Sequence, residues 1–187
     1  MIIIYNLKHQ KMKKLLLMGL TLILFTACQK KETIRYTSTS PEIDVVKALV
    51  RDYQDGNWEG WMTHYADTAK AFHNTIVPAT AKDLQEGLKG TLERLSAYGF
   101  SDKDIFYEMI IDDKGDKWVY FWGTWEATVA ESNKKLVVPV HLALQFVNSK
   151  IVMEYGYYDY SQIMTALNEL DVAKMETPGD PSMENGE

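Results

Sequence analysis

Apolar residues in this chain follow two spacings, helical up to about residue 100 and alternating from about residue 104 onward. Ser40-Pro41-Glu42 sets a hydroxyl cap, a proline and an acid in succession, which predicts a helix start. Ile43, Val46, Leu49, Val50 and Tyr53 then share one face. Gly56 stops that helix and Asn57 can cap the next, where Trp58, Trp61, Met62 and Tyr65 fall at helical spacing. A short strand is predicted around Lys70-Ala71-Phe72-His73. Thr80 caps a third helix with Leu84, Leu88, Leu92 and Leu95 on one side and Gly99 at its end. Gly87 and Gly90 inside it cost stability relative to alanine, which suggests close packing against another backbone.

Beyond Asp104 the composition turns β-rich and predicts four strands, over 104–112, 117–129, 135–147 and 150–159. Asp113-Lys114-Gly115, Glu131 to Lys134 and Asn148-Ser149 are turn signals, so the connections read as hairpins and the sheet as antiparallel. A short C-terminal helix follows from Tyr160 to Leu170, carrying Ile163, Ala166, Leu167 and Leu170. Three N-terminal helices and then a curved, mainly antiparallel sheet of four to five strands make the fold class α+β.

The chain's beginning has a different pattern. Met12-Lys13-Lys14, an apolar stretch from Leu15 to Ala27 and then Cys28 match an export signal, and the stretch is too short for a membrane span of roughly 20 residues. Met12 rather than Met1 can be the start. Phe25-Thr26-Ala27-Cys28 resembles the bacterial lipobox, with Phe at a place where Leu is usual. It implies lipidation of Cys28 and a membrane-anchored protein of the bacterial cell envelope. A signal peptide with an incidental cysteine is the alternative. Cys28 is the only cysteine, which rules out an intramolecular disulfide, a CxxC redox pair and a cysteine-based zinc site. The predicted organisation is a signal over 1–27, a polar tether over 28–40, one domain over 41–171 and a disordered acidic tail over 172–187.

The whole chain has a formal charge of −6; without the signal's four lysines the remainder stands at −10. An acidic body argues against nucleic acid, whose binding depends on clustered Lys and Arg.

The order of elements, together with Tyr65-Ala66-Asp67 at the end of the second helix, His73 in the short strand, and Lys150-Ile151-Val152 running on to Tyr157-Tyr158-Asp159, resembles the nuclear-transport-factor-2-like superfamily. Within it the likeness is to the SnoaL-like group, over about residues 42–170. The resemblance implies helices packed in a cone against the sheet, around a cavity that different members use for isomerisation, cyclisation, epoxide hydrolysis, scaffolding or simple binding.

If Asn148-Ser149 is a two-residue turn, residues whose numbers sum to 297 pair across it. His141 then lies opposite Gly156 and Ala143 opposite Glu154, so His141 and Glu154 share a face as diagonal neighbours. Periodicity alone turns the other, more apolar face inward, with Val140, Leu142, Leu144, Phe146 and Ile151. The family register instead points the position of Gly156 into the cavity. Following the family predicts a cavity lined by Trp118, Tyr120, Trp122 and Tyr158, joined by Trp58, Trp61, Tyr65 and His73, and a convex sheet face buried in a homodimer.

Chemistry would fall to Glu154 as base and His141 as its orienting partner, with His73, Asp159 and the phenols of Tyr65, Tyr120 and Tyr158 as further candidates. Where the resemblance implies a functional aspartate in the last strand, as in many SnoaL-like and epoxide-hydrolase-like members, this chain has Gly156, and where epoxide-hydrolase-like members place an Arg and an Asp on the long strand it has Trp122 and Thr124. His64, His73 and His141 are too dispersed for a metal site, and no cofactor motif occurs. The expectation is a membrane-tethered domain binding a small, largely apolar molecule. An isomerase, cyclase or hydrolase working without a cofactor is the first alternative, and an envelope scaffold or assembly subunit the second.

Overall fold

The computed structural model describes residues 35–176. The signal, Cys28, most of the tether and the tail from residue 177 lie outside the described residues. In chain order the elements are β1 (Tyr36–Thr37), α1 (Pro41–Gln54), α2 (Trp58–Thr63), β2 (Tyr65–His73), β3 (Ala79–Thr80), α3 (Ala81–Leu92), β4 (Leu95–Phe100), β5 (Phe106–Ile111), β6 (Lys117–Val129), β7 (Lys135–Val147), β8 (Lys150–Tyr158) and α4 (Tyr160–Glu176).

The helix starts follow the chain's own signals. Ser40 accepts from the Ile43 N–H with Pro41 at the first helical position, and Thr80 and Asp83 close a reciprocal capping box on α3. Asn57 caps α2, accepting from the Gly60 N–H.

Eight strands form one sheet rather than the four to five expected, in the order β1-β5-β6-β7-β8-β2-β3, with β4 paired to the far half of β6. All pairs are antiparallel except β2 with β8. Three corrections come from edge pairing. Residues 36–37, read as tether, pair with Ile110 and Met109 of β5, so the ordered domain begins before Pro41. Leu95 and Gly99, read as the end of the third helix, belong to β4, because Leu95 is drawn into pairing with Val129. Tyr65-Ala66-Asp67 begins β2 instead of ending a helix. At the other terminus α4 runs six residues past Leu170 to Glu176, into the segment read as tail. A Cβ at Gly87 or Gly90 would meet nothing within 4 Å, so neither glycine serves a close backbone contact.

The inner face of the sheet carries two apolar clusters. Ile43, Val46, Leu49 and Val50 of α1 pack on Val119, Phe121, Leu142 and Leu144, and Ile163, Ala166, Leu167 and Leu170 of α4 pack on Trp125, Val129, Leu136 and Val138. Glu42, at the start of α1, is buried yet ionised: burial raises its pKa, but the Lys117 ammonium 2.5 Å away holds it below the usual range.

The β7–β8 hairpin decides which residues face these helices. Next to the turn the expected sum of 297 holds, with Val147 opposite Lys150 and Phe146 opposite Ile151. A bulge then makes Val152 the extra residue, and from Gln145–Met153 onward the sum is 298. One residue of slip reverses every later side chain on β8. Glu154 and Gly156 therefore turn inward beside Leu142 and Leu144, while His141 faces outward opposite Tyr157. Periodicity and the family register were each correct for one strand, and the bulge reconciles them.

Candidate functional site

Between the helices and the inner sheet face lies a cavity of about 450 Å³, within the range of small-molecule sites. Its walls are mostly apolar: Leu49, Val50 and Tyr53 from α1, Leu84, Leu88 and Leu92 from α3, and Phe100, Trp125, Val138, Val140 and Leu142 from the sheet.

The polar groups gather where β2 and β8 run in parallel, with Ala71 beside Glu154 and His73 beside Gly156. Glu154 is only 3% exposed. Its Oε2 accepts from the Tyr65 hydroxyl, and its Oε1 lies 2.8 Å from His73 Nε2. On the other side of the ring, His73 Nδ1 is 3.2 Å from the Tyr158 hydroxyl. The four side chains form one chain of contacts, Tyr65–Glu154–His73–Tyr158, and all four line the cavity. Asn74 fixes the end of β2 through its side chain, which donates to the Tyr158 carbonyl and accepts from the Tyr158 N–H.

Burial, and then the charge and hydrogen bond of Glu154, push the Tyr65 phenol well above its ordinary pKa. Burial, followed by Tyr160 and Glu154, pushes Tyr158 up to about 12. Both phenols stay protonated and serve as donors at neutral pH. A buried carboxylate with an imidazole partner at the end of an apolar cavity is equipped to take and return a proton.

Of the residues selected from sequence, Glu154, His73, Tyr65, Tyr158 and Trp61 stand in the cavity wall. His141, Trp118, Tyr120 and Trp122 do not: the register places them on the opposite face, where His141 stacks on Trp122 at 4.5 Å and its Nδ1 donates to the Phe121 carbonyl. The expected Glu154–His141 pair is thus replaced by Glu154–His73. Trp58 packs half-buried between the two apolar clusters, with its carbonyl accepting from Gln85, and is outside this cavity. Asp159 is a turn residue bonded to Ser161 and Gln162, and His64 is tied to Asp52 at 2.7 Å. Trp125 and Phe100 were missed. Trp125 continues the inward alternation Val119, Phe121, Gly123 of β6, a signal present in the sequence.

Among the described residues no three His, Cys, Asp or Glu side chains cluster as metal ligands, and no helix is long and apolar enough to cross a membrane.

No protein-family model matches the sequence, and no protein of curated function matches it. Solved structures do match the fold. AclR from Streptomyces galilaeus, a candidate hydroxylase, superposes with a TM-score of 0.56 at 15% identity, over 68% of this chain and 96% of that one. A candidate SnoaL-like polyketide cyclase from Jannaschia Sp. CCS1 gives 0.55 at 13% identity, over 74% and 96%. A protein with a ketosteroid isomerase-like fold from Catenulispora acidiphila, in complex with trimethylamine, gives 0.53 at 14%, over 68% and 92%. The fold is the nuclear-transport-factor-2-like cone. Within that class its structural neighbours include SnoaL-like and ketosteroid isomerase-like proteins.

Proposed function

We propose that this domain binds a small, largely apolar molecule in its cavity and moves a proton on it with its own side chains, as an isomerase or cyclase does. The observation that carries this reading is Glu154, buried in an apolar cavity and paired with His73. A cavity built for binding alone gains nothing from a buried carboxylate, whose desolvation is costly unless partners offset it. That several structural neighbours are candidate polyketide cyclases supports the same class of chemistry.

The lipobox supports attachment to a bacterial envelope membrane through Cys28. Six residues separate Cys28 from Arg35, the first described residue, so the tether spans at most roughly 20 Å. A partner for the outer sheet face, in this reading, is a second copy of the chain.

The test uses β-tetralone, an apolar bicyclic ketone with an acidic CH₂ beside its carbonyl. Binding is followed through the emission of Trp61 and Trp125, both in the cavity wall. Uptake of deuterium from D₂O at the acidic carbon is followed by NMR. Exchange above the buffer rate is expected, with a loss of at least about 100-fold in a protein carrying both His73→Asn and Glu154→Gln. Binding without any exchange would return the cavity to a purely binding role.

A further inference from the structure

Glu154 and His73 do not have interchangeable surroundings. Both oxygens of the carboxylate are occupied, Oε2 by the Tyr65 hydroxyl and Oε1 by His73 Nε2. A carboxylate can only accept, so His73 carries a proton on Nε2, and in the neutral ring Nδ1 is the bare nitrogen. Nδ1 in turn faces the Tyr158 hydroxyl at 3.2 Å, the long limit of a hydrogen bond and therefore easily exchanged for another partner. Tyr65 is deep in the core and committed to Glu154, whereas the His73 side chain is 15% exposed. The ring is the member of the pair with a free reactive atom.

We propose that His73 Nδ1 is the base that takes the ligand's proton, that Glu154 is the positioning residue for the ring, and that Tyr158 donates to the ligand's carbonyl oxygen. The proposal rests on the proton-transfer reading above and assigns its parts. When a carbonyl compound enters, its acidic carbon displaces the Tyr158 hydroxyl from Nδ1, and that hydroxyl turns to the carbonyl oxygen. The C–H bond breaks and its proton goes to Nδ1. Its electron pair forms the enolate double bond, and the carbonyl π pair moves onto oxygen, where the Tyr158 O–H meets it. The imidazolium formed is balanced by Glu154 across Nε2–H. Return of the proton to the same carbon is exchange, and return to another carbon is isomerisation; neither needs a co-reactant. Tyr65 does not touch the ligand in this scheme. Its hydroxyl keeps the carboxylate in place.

The titratable groups that line the same cavity as His73 are Glu154 and Tyr158 on β8, Tyr65 on β2, Tyr53 on α1, Tyr160 on α4 and the exposed Asp83 on α3. Glu154 is the one in ion-pair contact with the ring. Removing its charge withdraws support from the imidazolium, so the ring loses its proton more readily. The acid limb of the exchange profile must therefore move to lower pH.

The test follows β-tetralone exchange against pH in single variants, with circular dichroism to establish folding. Glu154→Gln should keep measurable exchange while its acid limb moves down by about one pH unit. His73→Asn should abolish exchange at every pH. Tyr158→Phe should lose about 100-fold with the acid limb unmoved. If His73→Asn retains exchange and Glu154→Gln abolishes it at every pH, Glu154 is the base and the assignment is overturned. A readout independent of turnover is nitrogen NMR of the His73 ring in the ligand-free protein. Protonated Nε2 and bare Nδ1 support the assignment, and a proton on Nδ1 overturns it. Absence of exchange in the wild type would bring down the proton-transfer reading itself, a result distinct from either of these.

Discussion

Gly156 and His73 are cross-strand neighbours in the parallel pair of β2 and β8, and the ring of His73 lies over the bare Cα of the glycine. A Cβ built there would come within 2.8–2.9 Å of three ring carbons, closer than side chains tolerate. The space over Gly156 is thus filled from the neighbouring strand, and the acid sits two residues earlier, at Glu154. Glycine is the requirement for seating the histidine. Gly156→Ala should therefore cost about 1–3 kcal/mol in urea unfolding by overpacking. It should also push the ring off Glu154, and a changed His73 signal in NMR would report that displacement. An alanine variant of unchanged stability with an unmoved His73 signal would show that the ring has room to spare.

At the scale of elements the sequence was most legible where one periodicity runs unbroken. β6 and β7 fall over 117–129 and 135–147 as predicted, and α1 starts at its Ser-Pro-Glu signal. Short edge pieces were illegible, because β1 and β4 owe their existence to backbone groups left open by strands distant in sequence. The candidate site was half legible for the same kind of reason. Glu154 could be selected by its chemistry, but its partner depended on Val152, one residue whose insertion no composition rule announces. Deleting Val152 removes the extra residue and leaves an unbroken register, in which Met153 follows Ile151 and Glu154 stays opposite Leu144 on the inner face. The expected outcome is a folded protein that keeps the His73–Glu154 contact and changes in stability by no more than about 2 kcal/mol in urea unfolding, since the inward side chains of the following strand keep their partners. Loss of that contact, or of the cooperative transition, would mean that the bulge itself and not the pairing beyond it seats Glu154.

For the molecule as a whole, the bulge that builds the cavity also fills the outer face of the sheet with rings. Phe106, Trp122, His141 and Tyr157 are direct partners across four adjacent strands, and beside them run Tyr120, Ala143, Tyr155 and Phe72. Trp122 stacks on His141 at 4.5 Å and Phe72 on Tyr155 at 4.9 Å, so these faces are spent on one another and the ring edges point outward. A flat sugar or base needs free ring faces, whereas ring edges bearing hydroxyl and N–H groups suit a packed protein interface. Phe106 and Tyr157 remain about half exposed, at 51% and 53%. Five strands at about 4.8 Å by two to three residue rows give a face of roughly 500 Å², hence roughly 1,000 Å² buried in a pair of copies. That is the lower bound for a specific dimer, so a pair of copies formed on this face would associate in the micromolar range rather than permanently. The net charge of −6 makes the bodies repel, while the rings themselves are uncharged. Added salt should therefore tighten the dimer by screening that repulsion, the reverse of an interface held by ion pairs. In analytical ultracentrifugation across protein and salt concentrations, Trp122→Glu should raise the dissociation constant at least about 100-fold by burying an unpaired charge. Its melting temperature as a monomer should stay unchanged, since Trp122 is outside both core clusters. A wild-type protein that stays monomeric up to about 0.1 mM at every salt concentration would exclude a second copy as the partner of this face.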